Sequence, residues 1–379
     1  MAMNTDAACE PAWFRRLVAT LLWATLFVAT GAKADIDGIT IHGFADVYYT
    51  STTQRDSPSG NTGFRLGNLD LYLSPNLTGR VRALMEDVVE FDDWSPAGTA
   101  NGQTAIDIER LQVGYLLRDD MVIWFGRFHT PYGYWNTAYH HGAQLQPTVM
   151  RPQFVAFEDH GGILPAHMNG LWLNGHYNQG PGRLTYDVYL GNGQRILDNQ
   201  LDMQNLGASN SHTATGTRLG YEFRGGQLDS LWVGVHALEE EVNVYVNGPL
   251  IAQTDVKIFG GFVHWTPGEW ELVGEYYDFN NRPHLGGASH SSRAWYAQAS
   301  YTFIGRVTPF ARVEHDRLNQ DDGYFHYLLG GQSYSRELIG LRYDLTPQTA
   351  LKLDGDHTNA RPDGGQTYNE VHFQVAFRF

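Results

Sequence analysis

The chain has 379 residues, 42% of them hydrophobic, and its formal net charge of −15 without basic tracts argues against a nucleic-acid-binding protein, so we expect no nucleic-acid partner. Its 10 Trp, 21 Tyr, 19 Phe and 42 Gly favour a protein of many strands and turns over a helical one. The single cysteine, Cys9, lies near the N-terminus, which leaves the body of the chain without a disulfide, a thiolate metal site or a cysteine nucleophile.

Residues 1–34 have the features of a secretory signal peptide. Arg15 and Arg16 precede an apolar run over residues 17–30, and residues 31–34, Gly-Ala-Lys-Ala, offer a small-x-small pattern for cleavage. A helix of that run would span about 21 Å, which is shorter than the roughly 30 Å hydrocarbon core of a membrane. We therefore predict a signal that is cleaved after residue 34, export from the cytoplasm, and a single domain over residues 35–379.

Beyond the signal, apolar and polar residues alternate in short segments. In the last segment, from Glu370 to Phe379, every odd position from 371 onward is apolar and most even positions are small, polar or charged. Period two is typical of a strand with two different faces. The sequence predicts sixteen strands, near residues 39–50, 64–73, 78–89, 106–117, 121–128, 169–177, 183–190, 215–223, 231–238, 254–266, 269–280, 293–303, 307–316, 335–345, 349–356 and 370–379.

The connections between these strands alternate in length. Each even-numbered strand is followed by a short, turn-like segment, and each odd-numbered strand by a longer polar one of roughly 12 to 40 residues. A transmembrane antiparallel β-barrel has this arrangement, with short periplasmic turns and long extracellular loops, whereas a soluble sandwich has no reason to sort its loops. The predicted fold class is therefore all-β, a barrel of about 16 strands with both chain ends on the side of the short turns.

The same alternation places ionisable residues from nearly every strand on the inner face. Arginines from three adjacent strands (Arg80, Arg82, Arg110 and Arg127) share that face with Asp70 and Glu86. Burying unpaired ions in a dry interior would cost several kcal/mol each. Because a 16-stranded barrel is also wide enough for a channel, we expect a water-filled lumen.

The longest connection, over residues 129–168, is rich in aromatic residues and prolines. Such a segment would be poorly solvated outside the barrel, and a loop of this length is usually functional. We expect it to fold into the lumen and form the constriction. The residues predicted to line the constriction and the lumen are Arg80, Arg82, Arg110, Arg127, His129, Tyr132, Tyr134, Trp135, His140, His141, Arg151, Glu158, Asp159 and His160.

A metal site in this loop is an alternative that the residues leave open. Five histidines (His129, His140, His141, His160 and His167) lie in or beside it. However, the adjacent His140 and His141 can hardly face one point, and a helical His-Glu-x-x-His pattern is absent. The chain also lacks a Gly-x-Ser-x-Gly elbow and a phosphate-binding Gly-Lys-Ser/Thr loop. The sequence thus predicts no catalytic residues, no cofactor and no metal.

Several of these features together carry a family resemblance. They are the sixteen-strand pattern, the signal, the final Phe379, the Gly126-Arg127 pair before Pro131-Tyr132-Gly133, and the long third loop. The chain resembles outer-membrane porins, in particular the phosphate-selective porin O and P type. The resemblance implies a channel in the outer membrane of a Gram-negative bacterium, through which ions and small hydrophilic solutes diffuse passively. It further implies contact with membrane lipid and lipopolysaccharide, and a homotrimer as the candidate assembly.

The solute and the direction of ion preference are left open by the residues. Phosphate-selective members line their pore with lysines and arginines, whereas only Lys257 and Lys352 follow the signal here, which disfavours phosphate. The predicted loops carry roughly half of the net negative charge, which favours a weak preference for cations. The arginine cluster on the inner wall would instead select anions. A loop-plugged receptor or adhesin barrel is the alternative function.

Overall fold

A computed structural model describes residues 38–54, 62–75, 77, 79–91, 105–140, 142–156, 162–202, 205, 207, 212–361 and 365–379. The strands are β1 (Ile39–Thr52), β2 (Gly63–Pro75), β3 (Val81–Glu90), β4 (Ala105–Arg118), β5 (Met121–His129), β6 (His167–Gln179), β7 (Gly182–Asn192), β8 (Arg195–Leu197), β9 (Gln200–Leu201), β10 (Thr213–Phe223), β11 (Trp232–Tyr245), β12 (Leu250–Trp265), β13 (Trp270–Pro283), β14 (His290–Tyr301), β15 (Val307–Arg317), β16 (Ser333–Thr346), β17 (Thr349–Arg361) and β18 (Thr367–Arg378). Two short α-helices, α1 (Trp135–Ala138) and α2 (Gly323–His326), and two 3₁₀ turns, Gln153–Val155 and Gly226–Leu228, lie in the connections.

Sixteen of these strands form a closed antiparallel barrel, in which only the short β8 and β9 are not part of the wall. The barrel closes where β1 pairs with both β2 and β18, so that Val47 lies opposite Leu66 on one side and Val375 on the other. At the end of this seam, Gly43 and Phe379 exchange two backbone hydrogen bonds of 3.1 Å. Each of the sixteen predicted strands corresponds to one wall strand, which confirms the predicted fold class.

The expectation that every second connection is long was wrong in three places. Residues 246–249 alone join β11 to β12, residues 284–289 join β13 to β14, and residues 362–366 join β17 to β18. In the first case, Asn247 and Gly248 both have positive φ, at 51° and 101°. An Asn-Gly pair with this backbone forms the tight turn whose twist matches two antiparallel strands. Residues 239–245 and 250–253, expected to lie in a loop, therefore extend the hairpin.

The two faces of the wall differ as the alternation predicts. In β18, His372 and Gln374 are buried on the inner face, whereas Val371, Phe373 and Phe377 are exposed on the outer face. Large apolar side chains are exposed around the outer surface on most wall strands, as a barrel in lipid requires. No helix among the described residues is long and apolar enough to span a membrane.

The hydrophobic core lies inside the barrel and is built around the third long connection. This connection spans residues 130–166 and is named loop 3 below; its described residues, 130–140, 142–156 and 162–166, lie in the lumen, which confirms the predicted position. Its buried side chains Tyr132, Trp135, Phe154, Ile163 and Leu164 belong to one cluster with wall residues from β11 to β16 and with helix α2. The wall contributes Tyr277, Phe279 and Tyr296, and the helix contributes Tyr324 and Phe325. Loop 3 is thus packed against one side of the lumen.

Candidate functional site: the constriction formed by loop 3

Both ends of loop 3 are held together where it leaves the wall. Thr130 donates its backbone N–H to the carbonyl of Ala166 at 2.8 Å, which extends the pairing of β5 and β6. The Asn136 amide nitrogen donates to the carbonyls of Thr130 and Ala166, at 3.0 Å each. One buried asparagine therefore bridges the two ends of the loop and places α1 over them.

The first contact across the lumen is a buried carboxylate on β13. Glu275 accepts hydrogen bonds from the backbone N–H groups of Tyr134 at 3.1 Å and Trp135 at 2.6 Å. It also accepts bonds from the hydroxyls of Tyr277 and Tyr296, which lie on β13 and β14. Hydrogen bonds to an ionised group are stronger than neutral ones, so Glu275 fixes the start of α1 against the far wall.

Further contacts hold the rest of α1. Arg218 on β10 donates to the carbonyl of Gly133 and to the hydroxyl of Thr137, at 2.9 Å each. The Tyr139 hydroxyl donates to the carboxylate of Glu271. Burial and the negative charge of Glu271 raise the pKa of Tyr139 well above its usual value, so this hydroxyl keeps its proton. The helix is therefore hydrogen-bonded on the side that faces β10 to β13.

Cationic side chains from β15 to β17 hold the second part of the loop by its backbone. Lys352 donates to the carbonyls of Ala143 and Thr148, and Arg342 donates to those of Gln144 and Gln146. Arg312 donates to the Thr148 hydroxyl at 3.1 Å and to the carbonyl of Met150 at 2.9 Å. Carboxylates complete the contact, since Asp354 accepts from Val149 N–H at 2.7 Å and Glu314 from Gln153 N–H at 2.8 Å. The charged side chains of β15 to β17 thus hold the second part of loop 3 against the wall.

A cavity lies on the other side of loop 3, against the barrel seam. It is lined by wall residues of β1, β2, β16 and β18, which include Asp46, Tyr48, Asn68 and Gln374, and by loop residues, which include Gln146 and Arg151. Asp46 accepts hydrogen bonds from the backbone N–H of Asn68 at 3.1 Å and from the Gln374 amide at 2.8 Å. Arg151, which also lines this cavity, interacts electrostatically with Asp46.

The predicted site residues of loop 3 fall into two groups. Loop residues Tyr132, Tyr134, Trp135, His140 and Arg151 lie in the lumen. Tyr132, Trp135 and His140 are buried, and the Tyr134 ring stacks on that of His264 with centroids 4.2 Å apart. His141, Glu158, Asp159 and His160 fall outside the described residues.

The predicted arginines are divided, because Arg110 lines a cavity together with loop 3 residues 137–140, whereas Arg80 and Arg82 lie toward the short-turn end. Arg80 is exposed in the turn before β3, and Arg82 lines a cavity at the short-turn end together with Asp119 and Asp120. Arg110 forms an ion pair with the buried Glu86 on β3. Arg127 is buried at the end of β5. The reason for the difference is that alternation gives the face of a residue but not its height along the barrel.

A buried group of four ionisable residues was not predicted as a unit. Glu109 on β4, His129 at the end of β5, His140 after α1 and His167 at the start of β6 bring their side-chain donor atoms within 4.8 Å of one another. Two backbone irregularities favour this. A bulge in β4 turns both Glu109 and Arg110 away from the outer surface, and Gly126 in β5 has a φ of +130°. No sequence spacing signals either irregularity.

A closed 16-stranded barrel with an apolar outer surface, a polar inner wall and a long loop folded across the lumen defines an outer-membrane porin. The chain belongs to the family of phosphate-selective porin O and P, which its sequence matches over residues 93–325. It is accordingly an outer-membrane channel for passive diffusion.

Solved structures share the fold at low sequence identity. The outer membrane channel DcaP of Acinetobacter baumannii is 11% identical, with a TM-score of 0.58 over 90% of this chain and 97% of that one. A trimer form of OmpT, an outer membrane protein of Vibrio cholerae, is 8% identical, with a TM-score of 0.56 over 90% and 99%. OmpF of Salmonella typhi, solved in complex with daunomycin, is 13% identical, with a TM-score of 0.54 over 90% and 97%. No curated protein matches the sequence significantly.

Proposed function

We propose that solutes cross this channel through the passage between loop 3 and the wall at the barrel seam. The observation that carries this proposal is the one-sided docking of the loop. Its backbone and aromatic side chains are bound to β10–β17, whereas the side toward β1, β2 and β18 borders a cavity lined by polar residues. Small hydrophilic solutes and ions are the class that fits a passage with such a lining.

The charges at this passage favour weak selectivity. Asp46 and Arg151 oppose each other across it. Arg336, which also lines it, lies 3.5 Å from the carboxylate of Asp356. With the charges that line the passage near balance, the net negative charge of the chain dominates, and we propose a weak preference for cations.

Phosphate is not the solute that this arrangement favours. Lys352 is buried and donates to the loop backbone, and Lys257 pairs with Glu239, with both side chains more than half exposed. Neither lysine therefore supplies charge to the passage. The chain belongs to a family named for phosphate, but one of its lysines binds the backbone of loop 3 and the other forms an exposed ion pair.

We further propose a non-enzymatic channel that assembles as a homotrimer in contact with lipid and lipopolysaccharide, after removal of residues 1–34. The trimer form of the Vibrio cholerae relative supports this assembly, and the apolar outer wall supports the lipid contact.

Reconstitution of the mature chain in planar bilayers tests the proposal. We expect discrete conductance steps and a reversal potential in a salt gradient that indicates weak cation preference. Asp46→Asn should lower that preference and Arg151→Ala should raise it. Arg80→Ala is the matched control, because Arg80 is exposed in a turn at the short-turn end. Absence of conductance steps would support the receptor or adhesin alternative, and a strong anion preference of the wild type would contradict the proposed selectivity.

A further inference from the structure

The buried group Glu109, His129, His140 and His167 has the composition of a metal site. Glu109 Oε2 lies 2.8 Å from His140 Nε2 and 3.8 Å from His129 Nε2, and it also contacts His167 Nε2. All four side chains are at most 5% exposed. We propose that these residues bind one divalent transition-metal ion, with Zn²⁺ as the best fit. This site goes beyond the proposed transport function.

The orientation of His140 supports the proposal. The Asn136 amide nitrogen donates to two backbone carbonyls, which fixes its oxygen toward His140. That oxygen lies 2.8 Å from His140 Nδ1 and must accept a hydrogen bond from its N–H group. The Nε2 atom of the neutral ring then presents a lone pair toward the carboxylate of Glu109. A histidine that ligates a metal typically has this arrangement, with its second nitrogen held by a hydrogen bond.

The charges of the group are also compatible with a divalent cation. The ring centroids of His129 and His140 are 3.7 Å apart, and His167 lies 5.2 and 5.1 Å from them. Three protonated rings this close would repel one another, and Glu109 can neutralise only one of them. A single divalent ion would be shared by three neutral rings and one carboxylate.

His129 gives an independent observation. Its side chain is 95% buried, and within the part of the chain that the structure describes its Nε2 has no hydrogen-bond partner. This nitrogen lies in the group, 3.8 Å from Glu109 Oε2 and 3.6 Å from Glu86 Oε2. Glu86 is already bound to Arg110, so the His129 nitrogen is available to a metal.

The donor set indicates which metals fit. Three imidazole nitrogens and one carboxylate oxygen suit Zn²⁺ and its neighbours in the first transition series, whereas Mg²⁺ and Ca²⁺ prefer oxygen ligands only. Four protein ligands fill a tetrahedral shell, which is the pattern of a structural site. The ion would link three wall strands to loop 3 at His140, and His140 also lines the passage. Metal binding would thus fix the position of the loop.

The metal content of the refolded, mature, full-length barrel tests this inference. After loading with Zn²⁺ and removal of loosely bound metal, elemental analysis should find one ion per chain in the wild type, and Co²⁺ should give the visible absorption of a four-coordinate site. His140→Ala and His167→Ala should weaken binding at least tenfold, and Asn136→Ala about 10- to 100-fold. His315→Ala is the matched control, because His315 is exposed on the outer face of β15.

His140 lies in the loop and outside the wall, so its variant keeps the test valid if wall variants fail to fold. Substoichiometric metal in the wild type would overturn the proposal. So would unchanged binding in His140→Ala, or a loss of binding in His284→Ala, because the latter would assign the ion to the separate group Glu241, Asp255 and His284.

Discussion

The two sides of the lumen are built from the same alternating strands, but one side is packed against loop 3 and the other faces a cavity. On the side of β10 to β17, inward residues such as Glu275, Arg312 and Lys352 bind the backbone of loop 3, and aromatic rings fill the space between them. On the side of the seam, Asp46 and Gln374 bind each other and face a cavity. The difference shows that a polar inner wall is packed where loop 3 contacts it with backbone groups and aromatic side chains, and open where the loop does not.

The largest effect is expected at the seam, where the open side of the lumen is held by the pairing of β1 with β18 and β2. Deletion of residues 370–379 removes most of β18, which pairs with both β1 and β17. Without it, two strand edges are unpaired in lipid, where backbone groups have no other partner. Outer-membrane insertion, measured by heat-modifiable migration in gels, should be abolished. Phe379→Asp should also impair it, and normal insertion of both variants would contradict the assigned role of the last strand.

The packed side can be weakened through the loop itself. Phe154 is buried against Tyr277 and Tyr296, with ring centroids 5.7 and 6.0 Å apart. Phe154→Ala should reduce the free energy that holds loop 3 in place by about 3–5 kcal/mol. Single-channel conductance should become larger or noisier as the loop detaches.

Leu145 provides the matched control on the same loop, because its side chain is 39% exposed toward the open side. Leu145→Ala should leave the open-channel noise unchanged. Equal effects of Phe154→Ala and Leu145→Ala would mean that the two faces of the loop do not differ.

A smaller effect is expected from one hydrogen bond at the edge of the packed side. Tyr139→Phe removes the bond to Glu271 while keeping the ring, and a bond to a charged group contributes about 1.5–3 kcal/mol. Limited proteolysis of loop 3 in the folded barrel should become faster. Tyr276→Phe is the control, since Tyr276 is exposed on the outer face of β13. Unchanged proteolysis in Tyr139→Phe would show that this bond does not hold the loop.

The smallest effect concerns His284, which lies in the connection between β13 and β14 and belongs to neither side of the lumen. The hydrogen bond of His284 to Asp255, 2.7 Å long, raises the pKa of this histidine, and Glu241 adds to the rise. Because the pKa of His284 is raised, the stabilisation that this pair gives to the folded chain is fully present at a pH below the usual histidine pKa of about 6.5. It is lost as the pH rises through the raised pKa. Asp255→Asn should return the pKa of His284 toward about 6.5, as measured by NMR titration. No change would rule out this pair.

Much of the wall could be predicted because its signals are local. Period two in each segment and short turns after every second strand led to sixteen strands and to the correct faces. The Asn247-Gly248 turn is a local signal too, but the predicted strand boundaries at 238 and 254 place it inside a long loop. The aromatic residues and prolines of loop 3 predicted its place inside the lumen, but not the wall against which it docks.

The sequence by itself determined the alternating strands, the sorting of the connections and the inward course of loop 3, because each depends on neighbouring residues and their solvation. Only the tertiary structure decided which residues meet. Barrel closure brings Asp46 to Gln374, 328 positions away, and a bulge in β4 brings Glu109 to three histidines from two strand ends and a loop. Strand register, backbone irregularities and loop docking fix these contacts, and they arise from the simultaneous pairing and packing of the whole chain.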